Sequence, residues 1–231
     1  MATGLFAVAL VLATVITAGR RIPRPLMLRA EPGPGRLALR DDHYWLSMYA
    51  DGVGTAQLIA LWSLAASSAH SLVYLPIRAN RAPGGGESES EPVMLDLVLA
   101  HHSLQFPASS WKGVRARLGR GAPHTASTPD DDIPGYADID HARHWYREYR
   151  DHFDFDSAAH TLFTKGSARA FREYGAELRL LADDGPAQLQ YVSETGYFDV
   201  ELDHGSPHGR SRSPWNVPGS LYIHYCAPWP V

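Results

Sequence analysis

Residues 44–77 read YWLSMYADGVGTAQLIALWSLAASSAHSLVYLPI, and their order of strand, turn, helix and strand decides the fold class. Tyr44–Tyr49 is a short run of aromatic and apolar residues, and Ala50-Asp51-Gly52 turns the chain. From about Thr55 to Ala69 the apolar residues return at helical spacing. Leu58, Leu61, Trp62, Ala65, Ala69, Leu72 and Val73 fall at i, i+3, i+4, i+7, i+11, i+14 and i+15. That is the stripe of a helix facing a protein core, and Ser63, Ser67, His70 and Ser71 are expected on its other face. Leu72–Ile77 then reads as a strand, with Pro76 marking an edge or an end.

Working outward, Arg36–Arg40 reads as a strand before this unit. Val93–Ala100 (VMLDLVLA) reads as a central strand covered on both faces, because it is almost wholly apolar. Pro107 suits the first position of a helix running through Trp111 and Val114 to Leu118. Asp138 or Asp140 is expected to cap a helix to about His152, and Asp156 a short helix ending at Gly166. Ser167 is expected to cap a third helix, with Phe171, Tyr174, Leu178 and Leu181 at helical spacing, stopped by Asp183-Asp184-Gly185-Pro186. Gln188–Val192, Tyr197–Leu202 and Ser220–Cys226 read as closing strands. Interleaved strands and helices of this kind predict an α+β domain, a mixed sheet with flanking helices, with α/β as the runner-up. No internal repeat is visible. The domain is expected over 36–231, with exposed loops near 82–92, 121–135 and 204–219, after a proline- and glycine-rich linker over 20–35.

Composition narrows the class. The 231 residues are 45% hydrophobic and 20% charged, which excludes a collagen-like, coiled-coil or wholly disordered chain. The single cysteine, Cys226, excludes an intrachain disulfide and a multi-cysteine zinc ribbon. A net charge of -4 gives no reason to expect a nucleic-acid partner.

Residues 2–18 (ATGLFAVALVLATVITA) are uncharged and are followed by Arg20, Arg21 and Arg24. Seventeen residues at ~1.5 Å each span roughly 25 Å, the short end for a bilayer helix. With arginines on the cytoplasmic side, 1–19 reads as a membrane anchor holding a cytoplasmic domain. A cleaved signal-like segment of a secreted protein and a segment folded into a cytoplasmic domain are the alternatives.

Four constellations carry candidate chemistry. Gly52 and Gly54, between a strand and a helix, with Arg78 further on, form a degenerate nucleotide-binding turn; Gln57 stands where the third glycine of the full motif belongs. His101-His102 ends the apolar strand, where α/β sheets seat ligands. Asp138, His141 and His144 would share one face of a helix, a carboxylate and two imidazoles suited to a divalent metal. Asp199, Glu201 and Asp203 alternate along one strand face, with His204 and His208 beyond. Each has a plain structural alternative: a turn, a strand end, a solvated helix face and an exposed strand face.

No complete catalytic motif is present: no G-x-S-x-G, no Walker lysine loop and no H-E-x-x-H. Cys226 reads as a core residue. Trp215 and Trp229 lie in proline-containing segments suited to an exposed contact patch. The expectation is therefore a membrane-tethered, non-catalytic binding domain for a protein or small-molecule partner. The alternatives are a metal-dependent hydrolase on the histidine-rich helix and a degenerate nucleotide binder.

Overall fold

The computed structural model describes residues 5–12, 26–30, 36–43, 45–83, 91–119, 121–129, 131–146, 148–191, 198–203 and 220–227. They form an α+β fold of two mixed sheets and three α-helices. The strands are β1 (Leu5–Leu12), β2 (Leu26–Ala30), β3 (Leu37–Asp41), β4 (Leu46–Ala50), β5 (Ser71–Leu75), β6 (Val93–Met94), β7 (Asp96–His101), β8 (Ala122–Ser127), β9 (Asp154–Ser157), β10 (Thr161–Gly166), β11 (Phe198–Asp203) and β12 (Ser220–Tyr225). The helices are α1 (Gly52–Ser67), α2 (Trp111–Arg115) and α3 (Ala168–Gln188). A seven-stranded sheet has the order β8-β1-β2-β5-β7-β10-β9, and a five-stranded sheet the order β11-β12-β4-β3-β6.

Helices α1 and α3 pack against each other and against strands of both sheets, so they fill the layer between them. A helix enclosed on most sides in that layer must be apolar nearly all round, and α1 is the one so enclosed. In α1, Leu58, Ala60, Leu61, Trp62, Ala65 and Ala66 are all buried. Ser63, expected on a polar face, is buried too and donates to Asp132 at 2.5 Å. Trp62 meets Phe153 and Phe171 edge-on, with ring centroids 5.8 and 5.7 Å away. The outer face of the larger sheet is closed by α2, where Trp111 packs with Tyr74, Phe106 and Phe163. The central strand β7 is thus covered on both faces, as its composition predicts: Leu97 and Leu99 face the helix layer, Val98 and Ala100 the α2 side.

The two sheets contain a topological repeat that the sequence does not display. β3-β4-α1-β5-β7 and β9-β10-α3-β11-β12 follow the same course, but they start in opposite sheets. The antiparallel pairs β3/β4 and β5/β7 correspond to β9/β10 and β11/β12. The parallel joins β4/β12 and β10/β7 correspond to each other. Each helix begins directly after a strand with a side-chain cap: Asp51 accepts from Gly54 N, and Ser167 from Ala170 N. β1, β2 and β8 extend one sheet beyond this repeat.

The structure bears on several local expectations, and those for residues 26–30, 121–135 and 138–191 are corrected. Leu5–Leu12, within the apolar run 2–18, are extended and pair with β2 and β8. Among the described residues no helix is long and apolar enough to cross a membrane. Leu26–Ala30, expected in the linker, form β2, and the expected loop 121–135 contributes β8. The short helix expected from Asp156 to Gly166 is instead part of the hairpin β9–β10, whose alternation sends Phe155 and Leu162 into the helix layer and Phe163 to the α2 side. The helix expected over 138–152 is replaced by two short 3₁₀ turns, Tyr136–Asp138 and His141–Trp145. That segment lacks an apolar stripe to bury as a helix. α3 continues past the expected stop, because Gly185 is seated against the Tyr225 ring. Pro186 lies in the last turn, where its missing N–H costs a single helix hydrogen bond. Gln188 therefore ends α3 and Leu189–Tyr191 is a turn, where a strand was expected. Trp215, Trp229, His204 and His208 lie outside the described residues.

Two backbone positions test this geometry. A Cβ at Gly54 would sit 2.3 Å from the Arg36 carbonyl oxygen, so Gly54→Ala is expected to destabilise the protein by about 1–3 kcal/mol in urea unfolding. The β9–β10 turn holds Ala159 and His160 at φ 51 and 57°, left-handed at both central positions, where L-residues are strained. Ala159→Gly is therefore expected to stabilise by up to about 1 kcal/mol. Unchanged stability for Gly54→Ala would contradict the close approach of α1 to Arg36.

Candidate functional site

The residues from Asp131 to Arg150 form a strap across α3. Its first anchor is Asp132, the last of the Asp130–Asp132 run, whose carboxylate joins both central helices. It accepts from Ser63 of α1 at 2.5 Å and from Arg172 Nη2 of α3 at 2.9 Å. Ile133 follows, buried against Gly175, where a Cβ would lie 2.9 Å from Ile133 Cδ1. Arg179 donates to the Ile133 carbonyl. The strap is thus pinned to three successive turns of α3 before its two 3₁₀ turns begin.

Those turns lay aromatic and imidazole rings over two α3 glutamates, Glu173 and Glu177. At i and i+4 these share one helix face. His144 stacks on Tyr174 at 5.1 Å between ring centroids and tilts against Tyr149 at 4.8 Å. Its Nε2 lies 3.5 Å from the Glu173 carboxylate, longer than a good hydrogen bond. Glu173 also accepts from Tyr149 Oη at 2.5 Å and from Arg169 Nε at 2.7 Å. One turn on, His141 Nδ1 lies 3.8 Å from Glu177, while its Nε2 is 3.0 Å from the Tyr136 carbonyl. The Tyr136 ring tilts against His141 at 4.2 Å.

The two carboxyl groups are driven apart electrostatically. Burial pushes Glu173 up, but the hydrogen bonds from Tyr149 and Arg169 and the Arg169 charge outweigh it and hold Glu173 below the usual range. Burial pushes Glu177 up, and only His141 opposes this. Burial also lowers His144, against the pull of Glu173 and with the help of His141 and Arg143. Tyr149 is raised by burial and then by its bond to Glu173, and Tyr136 is raised first by Glu177. Glu173 is thereby an ionised acceptor, and Glu177 a carboxyl that keeps its proton to higher pH.

The expected metal set is divided. His141 and His144 do share a face, with ring centroids 5.9 Å apart. Asp138 instead turns back to accept from Gly135 N at 3.1 Å. Among the described residues no group of three or more His, Cys, Asp or Glu side chains is placed to hold a metal ion.

At the expected nucleotide turn, Asp51 Oδ1 receives Gly54 N at 2.7 Å and Arg36 N at 3.0 Å. Gly54 serves the approach to Arg36, and the Tyr225 hydroxyl covers Gly52. Arg78 is engaged elsewhere, by Asp96. His101 caps the following 3₁₀ turn through Ser103 N at 3.2 Å. Asp199 and Glu201 are exposed on β11, while Val200 and Leu202 are buried. Cys226 is buried, and burial pushes its thiol up to about 12, as suits a core residue.

Sequence reasoning missed Glu173, Glu177, Tyr149 and Asp132. The i, i+4 spacing of the two glutamates was the one available signal. No family model, no curated protein and no solved structure matches the chain.

The opposed shifts give a pH test. A histidine held below its ordinary value of about 6.5 contributes stability that is lost as pH falls through that value. His144→Gln is therefore expected to flatten the decline in stability between about pH 7 and 5. Part of that slope should remain, since burial also lowers His101 and His224. Glu177→Gln is expected to stabilise at neutral pH and to have little effect near pH 4, because the carboxylate penalty exists only when Glu177 is ionised. Denaturant midpoints across this range measure both effects. A uniform shift at all pH values for either variant would contradict the assignment.

Proposed function

We propose that the chain is a binding domain whose contact surface is the strap over α3, and that it recognises a cationic side chain, arginine or lysine, of a protein partner. The observation that carries this is Glu177. Its side chain is only 19% exposed, and among the described residues its one ion-pair partner is an imidazole 3.8 Å away, too far for a hydrogen bond. A partly buried carboxylate in that state gains most from an incoming cation with several N–H donors. Tyr136, 39% exposed and close enough to Glu177 to feel its charge, supplies an aromatic face beside it, and such faces attract the same cations. The anchors at Asp132, Ile133 and Arg172 support the proposal further, because a pinned surface loses little entropy on binding.

Hydrolysis by a histidine–carboxylate set is the runner-up. The opposite shifts of Glu173 and Glu177 favour it, since such pairs mark an acid and a base. It predicts turnover of simple aryl esters or phosphoesters by the full chain that disappears in Glu177→Gln.

The binding proposal is tested with short peptides carrying arginine or lysine, paired with citrulline and acetyl-lysine versions. The full chain is expected to retain the charged peptides and release the neutral ones. Glu177→Gln is expected to weaken the charged set about tenfold or more, while Asp199→Asn, on the exposed face of β11, leaves it unchanged. Equal affinity for charged and neutral peptides, or for wild type and Glu177→Gln, would overturn it.

A further inference from the structure

On the other side of the larger sheet, two guanidinium groups converge on one buried carboxylate. Asp96, 1% exposed, opens β7. Its Oδ2 accepts from Tyr74 Oη at 3.0 Å and lies 3.3 Å from Arg115 Nη1 and 3.6 Å from Arg78 Nε. Its Oδ1 accepts from Arg78 N at 3.0 Å. Arg115 Nη1 also donates to the Ala159 carbonyl at 2.8 Å, in the left-handed turn between β9 and β10. Two fixed positive charges therefore face one negative charge. Tyr74 adds none, because its hydroxyl is pushed up to about 12 by burial and by Asp96.

One aspartate satisfies only part of this pair. Arg78 engages Asp96 through Nε, and Arg115 is held through Nη1 alone. The Nη groups of Arg78 and the Nη2 and Nε groups of Arg115 have no partner among the described residues. Their side chains are 46% and 21% exposed, so both guanidinium-bearing side chains reach the surface. Both anchoring nitrogens touch the same oxygen, so they stand under about 7 Å apart. One tetrahedral oxyanion can take N–H groups from both forks at that separation. A planar carboxylate matches a single fork. We propose that Arg78 and Arg115 form a binding site for a phosphate-type oxyanion, either inorganic phosphate or the phosphate group of a larger ligand. It is independent of the strap on α3.

The test is calorimetric titration of the full chain with inorganic phosphate, pyrophosphate, phosphoserine and AMP at constant ionic strength, with acetate and chloride as controls. Saturable binding is expected for at least one phosphate and for neither control. The arm that binds most tightly identifies the source. Arg78→Gln, which leaves Asp96 paired with Arg115, is expected to keep the wild-type melting temperature without phosphate and to lose about tenfold or more in affinity. Arg115→Lys keeps the charge but loses the fork, and is expected to weaken binding in the same direction. Arg143→Gln, on the strap, removes one positive charge elsewhere and should bind as wild type does. If Arg78→Gln fails to fold, Arg78→Lys replaces it with the same expectation. No saturable phosphate binding, equal binding by the arginine variants, or equal response to acetate would overturn the proposal.

Discussion

The sharing of one helix layer by two sheets is the constraint on which the rest of the structure depends. α1 and α3 each touch strands of both sheets, and α1 is left with no wide face for solvent. α1 meets this with apolar or small residues on nearly every side, and with Trp62 lodged between Phe153 and Phe171. The polar groups that remain in the layer need internal partners. Ser63 finds one in Asp132, and Thr55 in the Asp51 carbonyl. α3 is the less enclosed of the two, and its exposed side is where the strap lies. The candidate site is therefore a consequence of the layering: it occupies the part of the helix pair that the sheets leave open.

The strap shows how a charged, histidine-rich segment becomes ordered without regular structure. Its own sequence offers no apolar stripe, and most of its fixed contacts are made to α3. Asp132 meets Arg172, Ile133 meets Arg179, His141 meets Glu177, and His144 and Tyr149 both meet Glu173. Cooperative docking of this kind links titration to packing. The environment that holds Glu173 ionised is supplied by Tyr149 and Arg169, whereas among the described residues Glu177 has His141 alone. Two glutamates one helical turn apart thus acquire different chemistry from their covers alone.

The repeated ββαββ course gives a simple account of the topology. Each helix leaves one sheet and its following strands enter the other, and the two parallel joins close both sheets across the repeat. The halves share the order of elements and the capped start of each helix. They do not share side chains: Asp51 caps one helix and Ser167 the other. A repeat conserved only as pattern and topology leaves no trace in residue identity, which is why none was visible in the chain.

Sequence by itself determined the elements whose period and punctuation agree. The stripe from Leu58 to Ala65, the capped start at Ser167, the apolar run ending at His101 and the alternation over Phe198–Leu202 were legible, because local spacing and burial point the same way. So was the α+β class. Tertiary structure decided the rest. Residues 93–100 read as one strand, but Leu95 breaks the run between β6 and β7, which lie in different sheets. The segment 136–145 became two 3₁₀ turns, because its rings gain more by docking on α3 than by forming a helix of their own. Glu173 with His144, Glu177 with His141, and Asp96 with Arg78 and Arg115 are contacts between elements distant along the chain. Periodicity reports which face of an element is buried, but not which element will cover it.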